Sequence, residues 1–166
     1  MPDVIDPDIR RARTLPSDYY TSEERLKESL AKFPDYWHFA AHRSQFGSSN
    51  VIPIPHLEGM LGEPMVLTCE EDIKCLSNVC THREMIVADS QCDVKSLRCP
   101  YHGRTFGLDG CFRSMPEFGG VENFPSKSDD LFQFPTLEWN GIISVSYTHL
   151  RAHETSLHLV CRLLLE

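Results

Sequence analysis

The chain has 166 residues, 41% hydrophobic and 24% charged, and carries a formal net charge of -8 from 24 acidic and 16 basic side chains. That length allows one domain of ordinary size with a short appendage, and the acidic balance argues against nucleic acid as a partner. No apolar run approaches the roughly 20 residues that cross a bilayer, and the opening MPDVIDPDIRRARTLPSDYY has no apolar core of a secretory signal, so a cytoplasmic location is expected.

Residues 1–20 are rich in Pro and Asp and read as an arm. A helix is predicted over 22–32, with Thr21 as its cap and Glu24 completing a capping box. Leu26, Leu30 and Phe33 fall on one face, and Pro34 stops the helix. Residues 1–35 thus form an N-terminal arm and helix. A helix of about three turns cannot bury its stripe alone and needs a partner surface.

From Tyr36 the pattern changes to short apolar runs: YWHFAA, NVIPIP, PMVLTC, IKCLSNV, LFQFPTLEW and GIISVS. Each is bounded by Gly, Pro, Asn, Asp or Ser, which predicts a mainly β, mostly antiparallel domain over 36–145. FGLDGCF (106–112) reads as a hairpin, with Asp109-Gly110 suited to a type I′ turn. Residues 146–166 break with the β pattern and carry helical periodicity instead.

There are seven cysteines, an odd number, at 69, 75, 80, 92, 99, 111 and 161. Without a secretion signal they favour metal binding over a disulfide framework. Two pairs stand out. Cys80-Thr81-His82 is C-x-H, and Cys99-Pro100-Tyr101-His102 is C-x-x-H; sixteen residues separate His82 from Cys99. Zinc fingers usually place two cysteines on one element and two histidines on the other. Here each loop carries one of each, the pattern in which two histidines replace two cysteines at one iron of a Rieske [2Fe–2S] centre. Cys80 and Cys99 would bind the inner iron, and His82 and His102 the outer one. Pro100 stiffens its turn, and Gly103 permits an unusual backbone angle just after it. Two neutral imidazoles in place of thiolates raise the reduction potential above that of a four-cysteine cluster. Such a site relays electrons. A structural zinc module is the remaining alternative for the same four side chains.

CTHR and CPYHGRTFGLDG resemble the Rieske domain of ring-hydroxylating, Rieske non-haem iron oxygenase large subunits. The likeness extends upstream through LPSDYYTSEERLKESL and YWHFAAH, and downstream through SMPEFGGVENFP to LEWNGIISV, covering roughly residues 14–145. The respiratory Rieske type carries an extra cysteine in each ligand loop, which CTHREM and CPYH lack. Members often have Gly after C-x-H-R, where this chain has Glu84. The resemblance implies an antiparallel β-sandwich with a small cluster-binding subdomain. It implies an electron donor, a reductase or ferredoxin, and a mononuclear non-haem Fe(II) acceptor in a catalytic domain, usually of a neighbouring subunit in a homo-oligomer. It also implies an organic substrate hydroxylated or demethylated with O₂. This chain is expected to lack that catalytic domain and to be incompetent for oxygenation alone. A stand-alone Rieske ferredoxin is the second reading, although such carriers do not need the N-terminal arm and helix.

Other residues carry plainer readings. Cys69, Cys75, Cys92 and Cys111 read as small hydrophobes, and His38, His42 and His56 as packing or surface groups. Tyr101 and Phe106 could cover a cluster or belong to the core. Arg83 and Arg104 flank the loops as partner-docking or solvated side chains. His149, His153, Glu154 and His158 suggest part of a two-histidine, one-carboxylate iron site. Leu150, however, stands where the family motif has an acid. The stretch VSYTHLRAHETSLHLVCRLLLE resembles translated adapter sequence, so these residues are not taken as ligands.

Overall fold

A computed structural model describes residues 5–147 of the chain. His149, His153, Glu154, His158 and Cys161 lie outside the described residues. Two compact units are present, divided between Phe33 and Pro34.

In the first unit, α1 (Asp18–Thr21) is a single turn and α2 (Glu23–Lys32) follows it. The cap is not Thr21, which ends α1 and donates its hydroxyl to the Ser17 carbonyl at 3.1 Å. Ser22 caps α2 instead, accepting from the Arg25 N–H at 3.4 Å. The extra turn shifts the helix start by one residue, so Glu24 falls at the second helical position and no capping box forms. Leu26 and Leu30 stand 57% and 38% exposed.

The second unit is built from antiparallel strand pairs. The strands are β1 (Trp37–His42), β2 (Val51–Pro53), β3 (Met65–Cys69), β4 (Ile73–Ser77) and β5 (Leu97–Arg98). They continue with β6 (Thr105–Phe106), β7 (Phe112–Ser114), β8 (Gln133–Phe134), β9 (Thr136–Trp139) and β10 (Ile142–Ser146). Three sheets result, in the orders β1-β10-β9, β2-β3-β4-β8 and β5-β6-β7. Pro135 has no N–H for a ladder, so the run 131–139 is split into β8 and β9, which join different sheets. One helix was not read from the sequence: α3 (Pro55–Leu61) opens on Pro55, and buries Leu57 and Leu61.

Val51, Val66 and Leu76 of the four-stranded sheet pack with Leu97, Phe106, Leu108 and Leu131, and Cys80 and Cys99 belong to the same buried cluster. The stretch 79–96 between β4 and β5 has little strand structure, and two asparagines organise it. The Asn78 amide donates to the Ala88 carbonyl at 2.7 Å and accepts from the Ala88 N–H at 2.8 Å. Asn50 does the same with Val94, at 2.8 and 3.0 Å. Each side chain replaces one rung of a β ladder, which satisfies loop backbone that would otherwise be buried unpaired.

The hairpin at 106–112 is present, with Phe106 opposite Phe112. Its turn is not type I′. Gly110 has a positive φ of 84° and Asp109 does not, whereas type I′ needs both. Asp109 accepts the Cys111 N–H at 3.0 Å instead, so the chain turns ahead of Gly110, which alone is left-handed.

The two Cys–His loops share one backbone frame. In the first, the Cys80 N–H donates to the Met85 carbonyl at 2.8 Å and the Glu84 N–H to the Cys80 carbonyl at 3.0 Å. In the second, the Cys99 N–H donates to the Arg104 carbonyl at 2.8 Å and the Gly103 N–H to the Cys99 carbonyl at 3.1 Å. The residue four after each cysteine is left-handed: φ is 54° at Glu84 and 73° at Gly103. Glu84 therefore stands where its own counterpart is glycine.

Two substitutions test this backbone. Gly110→Ala places a Cβ 2.9 Å from Leu76 Cδ2 at a left-handed position, and we expect a loss of about 1–2 kcal/mol in urea unfolding. Glu84→Gly relieves left-handed strain of about 1–2 kcal/mol against a backbone entropy cost of about 0.5–1 kcal/mol. We expect a net gain of up to about 1.5 kcal/mol in the same measurement.

A candidate metal centre between two loops

Cys80 and Cys99 are 1% and 2% exposed. Their thiols face each other within hydrogen-bond reach, and the backbone N–H groups of His82 and Arg83 point at the Cys80 sulfur. Burial first, and then the bond shared with Cys99, hold the Cys80 thiol above its ordinary range. An iron would reverse this, because a ligating thiol is deprotonated outright.

The imidazoles lie on the outer side. The His82 and His102 rings meet edge to face, with centroids 4.8 Å apart and planes at 70°. His82 is half-buried and His102 exposed. Burial, followed by the nearby charges of His102, Arg104 and Arg83, pushes His82 below the usual imidazole range. That favours the neutral ring, the form that binds metal. The structure thus places the four predicted side chains as two pairs, the thiols buried and the imidazoles half-buried or exposed. Among the described residues, no three His, Cys, Asp or Glu side chains gather round one ion position.

Of the surrounding residues, Cys111 departs from its expected hydrophobic role. Tyr101 is 58% exposed and lies tilted over the His102 ring, centroids 3.7 Å apart, whereas Phe106 is entirely core. Cys75 is buried and Cys69 and Cys92 are half-buried, but Cys111 is exposed at the hairpin tip. His42 caps a short 3₁₀ turn and His56 contacts the Phe39 carbonyl at 3.2 Å. Arg83 is exposed.

Arg104 is neither solvated nor available for docking, being 3% exposed. Its Nη1 donates to Thr81 Oγ1 at 2.7 Å and to Asp129 Oδ1 at 3.1 Å, and its Nε to Met115 Sδ at 3.4 Å. Phe112 and Phe124 wall it, at 5.3 and 5.5 Å from ring centre to guanidinium carbon. Backbone hydrogen bonding from Ser126 first, with Arg104 contributing, holds the Asp129 carboxyl below the usual range. An aromatic chain runs from Phe124 to Phe118 (5.1 Å) and on to His82 (5.9 Å). Sequence reading missed Phe118, Phe124 and Asp129, which arrive from a distant segment.

Comparisons with known proteins identify the family and the fold. A family model described as the Rieske [2Fe-2S] domain matches residues 37–125. The choline monooxygenase of Beta vulgaris is 29% identical over 148 residues, covering 86% of this chain and 32% of that protein. The carnitine monooxygenase oxygenase subunit of Escherichia coli K12 is 28% identical, covering 82% and 37%. The crystal structure of the quaternary ammonium Rieske monooxygenase CntA with L-carnitine matches with a TM-score of 0.72 at 26% identity, over 89% of this chain and 41% of that one. Naphthalene 1,2-dioxygenase from Rhodococcus, at 24% identity, shares the fold with a TM-score of 0.71, over 87% and 33%. The chain spans about a third of the length of the relatives it matches. With the family model covering more than half of its residues, the chain belongs to the Rieske [2Fe-2S] domain family.

Proposed function

We propose that Cys80, His82, Cys99 and His102 hold a Rieske [2Fe–2S] cluster, the thiolates on the buried iron and the imidazoles on the outer one. The observation that carries this is the pairing itself: two buried thiols facing each other and two abutting imidazoles, on loops with the same backbone frame. When bound, the cluster takes up and releases one electron. The chain's own residues do the rest. His82 and Arg83 present N–H donors to the Cys80 sulfur, the core excludes water from the inner pair, and His102 with Tyr101 offers an exposed edge for electron exchange.

On this reading, residues 36–145 are the electron-relay domain of an oxygenase and 1–35 its N-terminal arm and helix. The donor is a reductase or ferredoxin, and the acceptor is a non-haem iron in a catalytic domain, of a neighbouring subunit in a homo-oligomer. Likeness to choline and carnitine monooxygenases supports a whole protein that oxidises an organic substrate with O₂. The 166-residue chain by itself cycles one electron without oxygenating. Among the described residues no helix is long and apolar enough to cross a membrane, and a cytoplasmic setting belongs to the same proposal.

Anaerobic iron–sulfur reconstitution tests the ligand set. The wild-type chain should turn brown and, once reduced with dithionite, show an average g value below that of a four-cysteine ferredoxin. Cys80→Ser should lose iron. His102→Cys, if it retains a cluster, should move the potential toward the roughly -400 mV of four-cysteine ferredoxins. A colourless wild-type chain holding one zinc would overturn the assignment. Oxygen uptake with choline or carnitine and a reduced donor should stay at background.

A further inference from the structure

The loop frames fix each ligand pair internally but do not set how the two pairs face each other. Thr81 lies between Cys80 and His82, and Arg104 two residues beyond His102. The Arg104 Nη1 to Thr81 Oγ1 bond, 2.7 Å, spans 23 residues of sequence. Among the described residues it is the hydrogen bond between the two loops that no candidate ligand makes. The hydroxyl is used in both directions, since Thr81 Oγ1 also donates to the Asp129 carbonyl at 2.8 Å. Arg104 Nη1 also donates to Asp129 Oδ1 at 3.1 Å, which closes the cycle. Three segments thereby contribute one residue each. The Arg104 carbonyl also accepts the Cys99 N–H, so one residue closes its own loop through the backbone and reaches the other through its side chain.

We propose that Arg104, acting with Thr81 and Asp129, is the positioning residue that sets the spacing of the two ligand loops and thereby the retention and electronic symmetry of the cluster. This rests on the ligand reading above. A buried guanidinium suits the task because its planar fork bonds in two fixed directions, Nη1 to Thr81 and Asp129 and Nε to Met115. A lysine carries its donors on one nitrogen and lacks the second arm that reaches Met115. Loss of the tie leaves the buried thiols packed in the core but frees the outer part of the loops, and changes around a ligand shell commonly weaken metal retention by roughly 10–100-fold.

The experiment uses the full chain, reconstituted anaerobically, as wild type, Thr81→Val, Thr81→Ser, Arg104→Met, Arg104→Lys and the Thr81→Val/Arg104→Met double variant. Cluster loss to an iron chelator and the g values of the reduced form are the readouts, with thermal melting as a control. Thr81→Val and Arg104→Met should each lose the cluster about tenfold faster with shifted or broadened g values. Thr81→Ser should behave as wild type, and Arg104→Lys should not rescue fully. The double variant should be no worse than the worse single one, because both remove the same tie. Thr81 is exposed, so Thr81→Val keeps the test decisive if Arg104→Met fails to fold. Wild-type retention and g values in Thr81→Val, or a lowered melting temperature alone, would make this a packing contact and overturn the proposal while leaving the ligand reading intact. A wild-type chain that takes up no cluster would overturn both.

Discussion

The contact between Cys80 and Cys99 belongs to the hydrophobic core and to the site at once. Both thiols pack among Val51, Leu76 and Phe106, contributed by the four-stranded sheet and the small three-stranded one. Assembly of that core therefore brings the two thiols together by apolar burial, while the Arg104–Thr81 bond ties the loops further out. Groups held by locked neighbours keep their geometry better than groups on free loops. The imidazoles stand outside this packing, and their environment comes from polar and aromatic contacts with Phe118 and Tyr101. The site thus has a rigid apolar floor and a more adjustable outer edge.

The two loops solve one geometric problem twice. Both bond the cysteine N–H to a carbonyl five residues on, and both end in a left-handed residue four on. They differ in where the histidine falls, at the second residue after Cys80 and the third after Cys99. With matching frames, that offset gives the rings different approach directions, and they meet edge to face rather than stacked. Glycine at the left-handed position is free of Cβ strain. Glu84 is held there by the same closing hydrogen bond that Gly103 makes.

What could be read from the sequence was what local chemistry determines. The strands were legible because short apolar runs alternate with breakers, and the four candidate ligands because their types and spacings are rare together. The missed features depend on residues far apart in the chain. Asn50 and Asn78 look like ordinary loop residues until their partners at Val94 and Ala88 are known. Arg104 looks solvated until Thr81 and Asp129 surround it. The remaining errors were local competitions. An extra helical turn claimed Thr21, and Asp109 kept an ordinary backbone angle by accepting the Cys111 N–H with its side chain.

The pairing of β1 with β10 has a consequence for synthesis on the ribosome. Trp37 lies opposite Ser146, and His42 opposite Ile142, so the first strand of the unit pairs with the last of the described strands. Roughly 100 residues must be made in between, which takes on the order of 5–20 s at usual elongation rates. Through that interval the WHFAAH segment is a nascent edge with neither its ladder nor the cover of Ile143 and Val145. The 79–96 insert and both Cys–His loops emerge within the same window. The loops can therefore gather around Leu76 and Phe106 before the outer sheet closes, and the final strand seals a unit whose centre is already in place.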